Sequence, residues 1–276
     1  MISGGKLLAI VSFVLRTAAE ITDGSSGTAA AATTSTISPA VRAFLTHATQ
    51  KIMAHDATAH ASPSPLELVA ARNEYEPLLV VLQSSPVAVD SATATVPGTT
   101  VEFRAARVGY VAVVNVTDCD SSGPGLYPDP LIPDVDSFVS QKRNAFPVTV
   151  PAGQNRLLLI DLFVPPGARP GTHPGHVTLT AGTGKTVLPF TLTIFEHTLP
   201  STASMQSTYG IEPQLIFTGH HLIPHDGAVP PAEVPAAQEL YKRYLDAGLM
   251  HRISGGSTMS TAEGFGDFEE HYDSYV

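Results

Sequence analysis

The sequence predicts a mainly β fold: an N-terminal β-sandwich followed by the first strand–helix–strand units of a parallel β/α repeat. Three observations lead there. The 276 residues include 22 Gly and 23 Pro, which favour turns and short strands over long helices. Between residues 66 and 198, short β-branched-rich runs alternate with turn residues. After Pro200 the pattern changes to a strand candidate, a helical segment and a second strand candidate.

The N-terminus reads MISGGKLLAIVSFVLRTAAE. Lys6, the apolar run Leu7 to Leu15 and the small residues Thr17-Ala18-Ala19 follow the order of a secretory signal peptide. Residues 1–19 are therefore expected to be a cleaved leader, and the protein to be extracellular (secreted). The apolar run is too short to span a bilayer. Residues 20–61 are expected to be a low-complexity linker and a short helix. Gly24 to Ser38 carry little hydrophobicity and no pattern. Phe44, Leu45, Ile52 and Met53 then recur at mixed helical spacing.

Residues 62–200 are assigned to the sandwich. Its strands are read in LELVA, PLLVVLQS, TVEFR, RVGYVAVVNV and NRLLLIDLFVP. HVTLTA and KTVLPFTLTIF then form a hairpin across Gly182-Thr183-Gly184. In the second arm Val187, Phe190, Leu192 and Ile194 mostly alternate with threonines, as a half-buried strand requires. Residues 201–276 are assigned to the β/α unit. SMQSTYGI is its first strand, residues 232–250 its helix, and HRIS its second strand. Leu240, Tyr244 and Leu245 give the helical recurrence, and Gly248 sits where the helix would stop. FEEHYDSYV reads as a second helix.

Composition excludes several function classes. Fifteen basic against 25 acidic residues give a net charge of −10, the wrong sign for a nucleic-acid groove. Cys119 is the single cysteine, so neither an internal disulfide nor a multi-cysteine zinc site can form. Its aspartate neighbours disfavour a nucleophilic thiolate. LTAGTGKT has Leu179 where a phosphate-binding loop needs glycine, and a strand rather than a helix follows. Asp118, Asp120, Ser122 and Asp129 match calcium-loop spacing, with Gly123 at the sixth position. Pro124 and Pro128 inside that span favour a rigid solvated loop. His220, His221, His225 and Asp226 lie in a segment interrupted by Pro224 and Gly227, which argues against a shared metal. Glu269 and Glu270 are adjacent, so on a helix they diverge rather than flank a bond. No cofactor is expected.

Several phrases resemble one family. AARNEYEPLLVVLQ (Ala70 to Gln83) resembles the opening of the sandwich in glycoside hydrolase family 123 and related barrel proteins. GLYPDPLIPDVDSF is similar to their long Pro-Asp loop, and PPGARPGTHPGHVTLTA to their late strand pair, with His173 in an aromatic's place. FEHTLPSTASMQSTYGI resembles the junction between sandwich and barrel, and HRIS the second barrel strand. The resemblance spans roughly residues 62–260.

This resemblance implies a β-sandwich joined to a truncated (β/α)8 barrel, and carbohydrate as the partner. The family removes terminal N-acetyl-β-galactosamine. A neighbouring Asp-Glu pair there works with the substrate's own acetamido group. That pair belongs to a later strand. Residues 205–276 supply 72 residues, against about 200 for a closed barrel. No catalytic residue is therefore assigned, and the chain alone is expected to be inactive. Tyr209, Glu212, Arg252 and Ser254, at or beside the ends of the first two strands, are the substrate-binding candidates implied. The alternative is a non-catalytic carbohydrate-binding or adhesion module, for which Tyr110 and Tyr127 are the aromatic candidates in a chain without Trp.

Overall fold

The structure, a computed structural model, describes residues 41–57, 59, 61–115, 123–205, 209–223, 229–253 and 255–256. The segments expected to be a leader, a linker up to residue 40 and a FEEHYDSYV helix lie outside the described residues, as does Cys119. The chain divides into two compact units that part between Leu199 and Pro200.

The first unit is built from β1 (Arg42–His47), β2 (Leu66–Arg72), β3 (Glu74–Ser84), β4 (Ser91–Thr95), β5 (Glu102–Val113), β6 (Gly125–Pro133), the short pair β7 (Val135–Asp136) and β8 (Gln141–Lys142), β9 (Arg156–Val164), β10 (Gly171–Ala181) and β11 (Gly184–Thr198). A five-stranded sheet has the order β1-β3-β9-β5-β6, and a four-stranded sheet the order β2-β11-β10-β4. Leu78, Val80, Leu82, Leu158, Ile160 and Leu162 of the first share one core with Leu66, Leu68, Val177, Leu179, Phe190 and Leu192 of the second. This is the arrangement of a sandwich: each sheet buries one face against the other.

Strand alternation explains most of this. Leu66, Leu68 and Ala70 are buried while Glu67 and Val69 point outward. β3 departs from alternation, with Leu78 to Leu82 continuously buried. Its second face is covered as well: Leu79 and Val81 pack with Leu157, Val108 and Ile52. A strand buried on both faces reads as an unbroken apolar run.

Three expectations are corrected. The short helix within residues 39–61 is replaced by β1, paired antiparallel with β3. Phe44 and Leu45 are adjacent, so the strand sends Phe44 to the outer cluster and Leu45 to the inter-sheet core. The Pro-Asp phrase is β6, an edge strand carrying Pro128, Pro130 and Pro133. Proline is tolerated there because an edge leaves one side without ladder partners. TVEFR and RVGYVAVV are one continuous strand, β5. The hairpin stands: Ala181 pairs with Gly184 across Gly182-Thr183, with Gly182 at φ 56°.

The passage from one sheet to the other is a single residue. β2 lies in the four-stranded sheet and β3 in the five-stranded one, with only Asn73 between them at φ 61°. Asparagine tolerates this left-handed conformation better than most residues. Its N–H donates to Val164 O (2.6 Å) and its side-chain amide to Leu199 O (2.9 Å). The Glu74 carboxylate accepts from Ala71 N (2.6 Å), Leu199 N donates to Arg72 O (2.9 Å), and the Arg72 guanidinium donates to Glu196 O. β2 consequently runs parallel to β11 in an otherwise antiparallel sheet.

The second unit holds β12 (Tyr209–Gly210), α1 (Pro213–Gly219), α2 (Val234–Met250) and β13 (Gly255–Gly256). β12 and β13 pair in parallel. Ala237, Tyr241, Leu245 and Gly248 form the buried stripe of α2, and Ile216 and Phe217 of α1 join its core. Gly248 lies inside the last turn rather than after it. The residue beyond the helix is Arg252, at φ 57°. Ile253 N bonds Gly248 O and Arg252 N bonds Leu249 O, both at 2.9 Å, which is a Schellman closure. His251, Arg252 and Ile253 therefore end the helix rather than form a strand, and the described strand residues are Gly255–Gly256.

Candidate functional site

The binding candidates belong to the second unit. The Tyr209 backbone pairs with Gly255, one residue past Ser254, which lies outside the described residues. Glu212 follows β12 and precedes α1; it is half-buried, and its side chain makes no capping hydrogen bond. Arg252 comes before β13, so it belongs to the opposite end of the parallel pair from Glu212. Its Nε donates to Pro200 O at 2.7 Å. The Tyr241 hydroxyl donates to Ile211 O at 3.3 Å, which fixes the backbone between Tyr209 and Glu212.

Asp118, Asp120 and Ser122 lie outside the described residues, and Asp129 sits in the edge strand β6. His225 and Asp226 are likewise outside. The His220 ring meets the Tyr244 hydroxyl at 2.9 Å and packs edge-on against its ring, while burial pushes the Tyr244 hydroxyl pKa up. Among the described residues no group of three or more His, Cys, Asp or Glu is placed to hold a metal. No described helix is long and apolar enough to cross a membrane.

The two aromatic candidates are taken up by the sandwich. Tyr127 donates its hydroxyl to Gly123 O (2.7 Å), and Lys51 Nζ lies 4.8 Å from its ring centre. Tyr110 packs on the Ile52 cluster, with Arg156 over its ring at 5.3 Å. Burial pushes its hydroxyl up to about 12, against a weaker opposing pull from Arg156.

A different aromatic pair was missed in the sequence. Tyr75 of β3 and Phe163 of β9 are cross-strand partners, with ring centres 4.7 Å apart. Glu102 of β5 completes that row; Pro77, Asp161 and Arg104 form the next. The Arg104 guanidinium lies 5.4 Å from the Tyr75 ring centre. These positions alternate with core residues such as Leu162 and Val164, so they occupy the outer face of the five-stranded sheet. The available signal was the parity of Tyr75 and Phe163 in their strands.

No family model matches the chain, and no curated protein matches it. Among solved structures, it is similar to a family 123 glycoside hydrolase from Clostridium perfringens, studied for glycolipid glycan hydrolysis. That match has a TM-score of 0.53 at 12% identity, over 76% of this chain and 36% of that one. The chain thus spans little more than a third of that structure. A mutant of the SrpA adhesin from Streptococcus sanguinis aligns at 10% identity over 65% of this chain and 75% of that one, with a TM-score of 0.23. The likeness to the family 123 enzyme is one of fold.

Proposed function

We propose that this chain is the sandwich-bearing part of a glycoside-hydrolase-like protein acting on terminal N-acetyl-β-hexosaminides. The observation that carries the reading is the fold likeness to the Clostridium perfringens enzyme over 76% of the chain. A second support is spatial. The phrases AARNEYEPLLVVLQ and FEHTLPSTASMQSTYGI, which resemble the same family, meet at the Asn73–Leu199 contact.

In this reading the β12–α2–β13 unit opens a (β/α)8 barrel. Such barrels build their sites at the C-terminal ends of strands. Glu212, which follows β12, would then contribute to sugar binding together with Tyr209 of that strand, whereas Arg252 and Ser254 precede β13 and so belong to the other end of the parallel pair. The acid/base Glu and the Asp that polarises the acetamide would come from a later strand. The N-terminal order of Lys6, apolar run and small residues supports export, which suits an extracellular glycan substrate. A purely adhesive module is less well supported, because Tyr110 and Tyr127 serve the sandwich's own packing.

The test is the transcript sequence downstream of codon 276. A continuing frame encoding an adjacent Asp-Glu pair after further β/α units supports the reading. A stop codon there in the mature transcript contradicts it.

A further inference from the structure

We propose that Asn115 is the acceptor of an N-linked glycan when this chain passes through a eukaryotic secretory route. The inference rests on the export proposed above. It concerns a modification of the sandwich, not the sugar on which the protein would act.

The sequence carries the acceptor pattern once. Of the four asparagines, Asn115 alone has a hydroxyl residue two positions on, in Asn115-Val116-Thr117. The residue between them is not proline, which would block recognition. Val116 and Thr117 lie outside the described residues; they enter here by their identity alone.

The structure supplies the second requirement, which is room. A glycan is bulky and solvated, so the asparagine that bears it must face water. β5 ends at Val113, whose pairing with Gly125 is the last of the β5–β6 ladder. Asn115 comes two residues later, in the connection between the strands, and is exposed. Val114 beside it is 75% exposed. Surface connections of this kind accept additions that a packed strand cannot. Asn155 shows the contrast. It is buried, and its amide donates to Met53 O (3.1 Å) and Asp56 O (2.8 Å), so a glycan there would dismantle that loop.

The reaction is a group transfer. The Asn115 side-chain nitrogen bonds to the anomeric carbon of the first sugar in a lipid-pyrophosphate-linked oligosaccharide. The bond from that carbon to the pyrophosphate oxygen breaks, the lipid pyrophosphate leaves with the electron pair, and the amide nitrogen gives up one proton. The transferase of the host reads the Thr117 hydroxyl as part of the pattern. Transfer acts on the emerging chain, before the sandwich closes. Folding then has only to leave Asn115 outside, as it does.

The experiment is expression of the full chain in a eukaryotic secretory host, once with its own residues 1–19 and once with an unrelated signal peptide in their place. The readouts are gel mobility before and after a peptide N-glycosidase, and the mass of the peptide holding position 115. We expect one mobility shift that the enzyme removes, with release leaving the mass of aspartate at position 115. Asn115→Gln and Thr117→Ala should each abolish the shift, and Thr117→Ser should keep it. Chain retained inside the secretory compartment is read in the same way, so a variant that fails to fold is still informative. Unmodified Asn115 in most of the chain that has entered the compartment overturns the inference, as does a shift that survives Asn115→Gln. Failure of export with residues 1–19 alone overturns the leader, and the second form then decides Asn115 by itself.

Discussion

Asn73 holds the carbonyl of Leu199 with its side-chain amide at 2.9 Å, so the corner between the two sheets grips the last residue of the sandwich unit, 126 positions further along. Two demands meet at this residue: a left-handed backbone and a hydrogen-bonding side chain. Asn73→Gly satisfies the first and loses the second; we expect a cost of about 1 kcal/mol. Asn73→Ala loses both and should cost about 2–3 kcal/mol. Urea unfolding of the two variants checks the order. Equal stabilities would show that the backbone conformation contributes nothing.

Gly175 and Phe190 are cross-strand partners, and a Cβ on Gly175 would come within 2.5 Å of Phe190 Cζ. Phe190 is fully buried and cannot swing aside. We expect Gly175→Ala to destabilise the protein by roughly 1–3 kcal/mol through overpacking. Phe190→Leu in the same chain should recover part of that loss, giving a negative coupling in a double-mutant cycle. Strict additivity would rule out the contact as the cause.

The Tyr110 hydroxyl is buried without a hydrogen-bond partner among the described residues. Burial raises its pKa from 10.0 to about 12, so the folded state keeps this proton at a pH where the unfolded chain releases it. The associated stability is complete below pH 10 and is lost as pH rises from 10 toward 12. We expect Tyr110→Phe to flatten that alkaline loss and to remove one late component from the ultraviolet phenolate titration. At pH 7 the change should be neutral or stabilising by up to about 1 kcal/mol, since an unpaired hydroxyl is deleted.

We expect the 276-residue polypeptide to show no turnover of a chromogenic N-acetyl-β-galactosaminide. Hydrolysis needs an acid and a second group held rigidly about the glycosidic bond. In the function proposed above, both groups come from a strand later than β13. Signal equal to that of a Glu269→Ala/Glu270→Ala control is the expected result. Turnover abolished by those changes would place the catalytic pair within this chain.

The strands that alternate cleanly were legible in the sequence. Leu66, Leu68 and Ala70, or Phe190, Leu192 and Ile194, announce one buried face. What was hidden depends on tertiary context. β1 reads as helical because Phe44 and Leu45 serve two separate apolar layers. β6 reads as a loop because only its edge position excuses three prolines. Tyr75 and Phe163 are 88 residues apart in sequence, and only strand pairing makes them neighbours. Arg252 fits the description of a binding residue, yet its backbone closes α2 and its side chain holds Pro200.

The most direct test of the account is the stability of two excised sandwiches, residues 41–200 and residues 62–200. The shorter one lacks β1 and the Ile52 layer, leaving the edge of β3 unpaired and exposing Leu79, Val81 and Leu157. Uncovering that much apolar surface is expected to cost several kcal/mol, at about 25 cal/mol per Å². Urea unfolding followed by far-ultraviolet circular dichroism should show a cooperative β-rich transition for residues 41–200, and an unfolded or aggregated product for residues 62–200. Equal stability of the two would contradict the architecture described here.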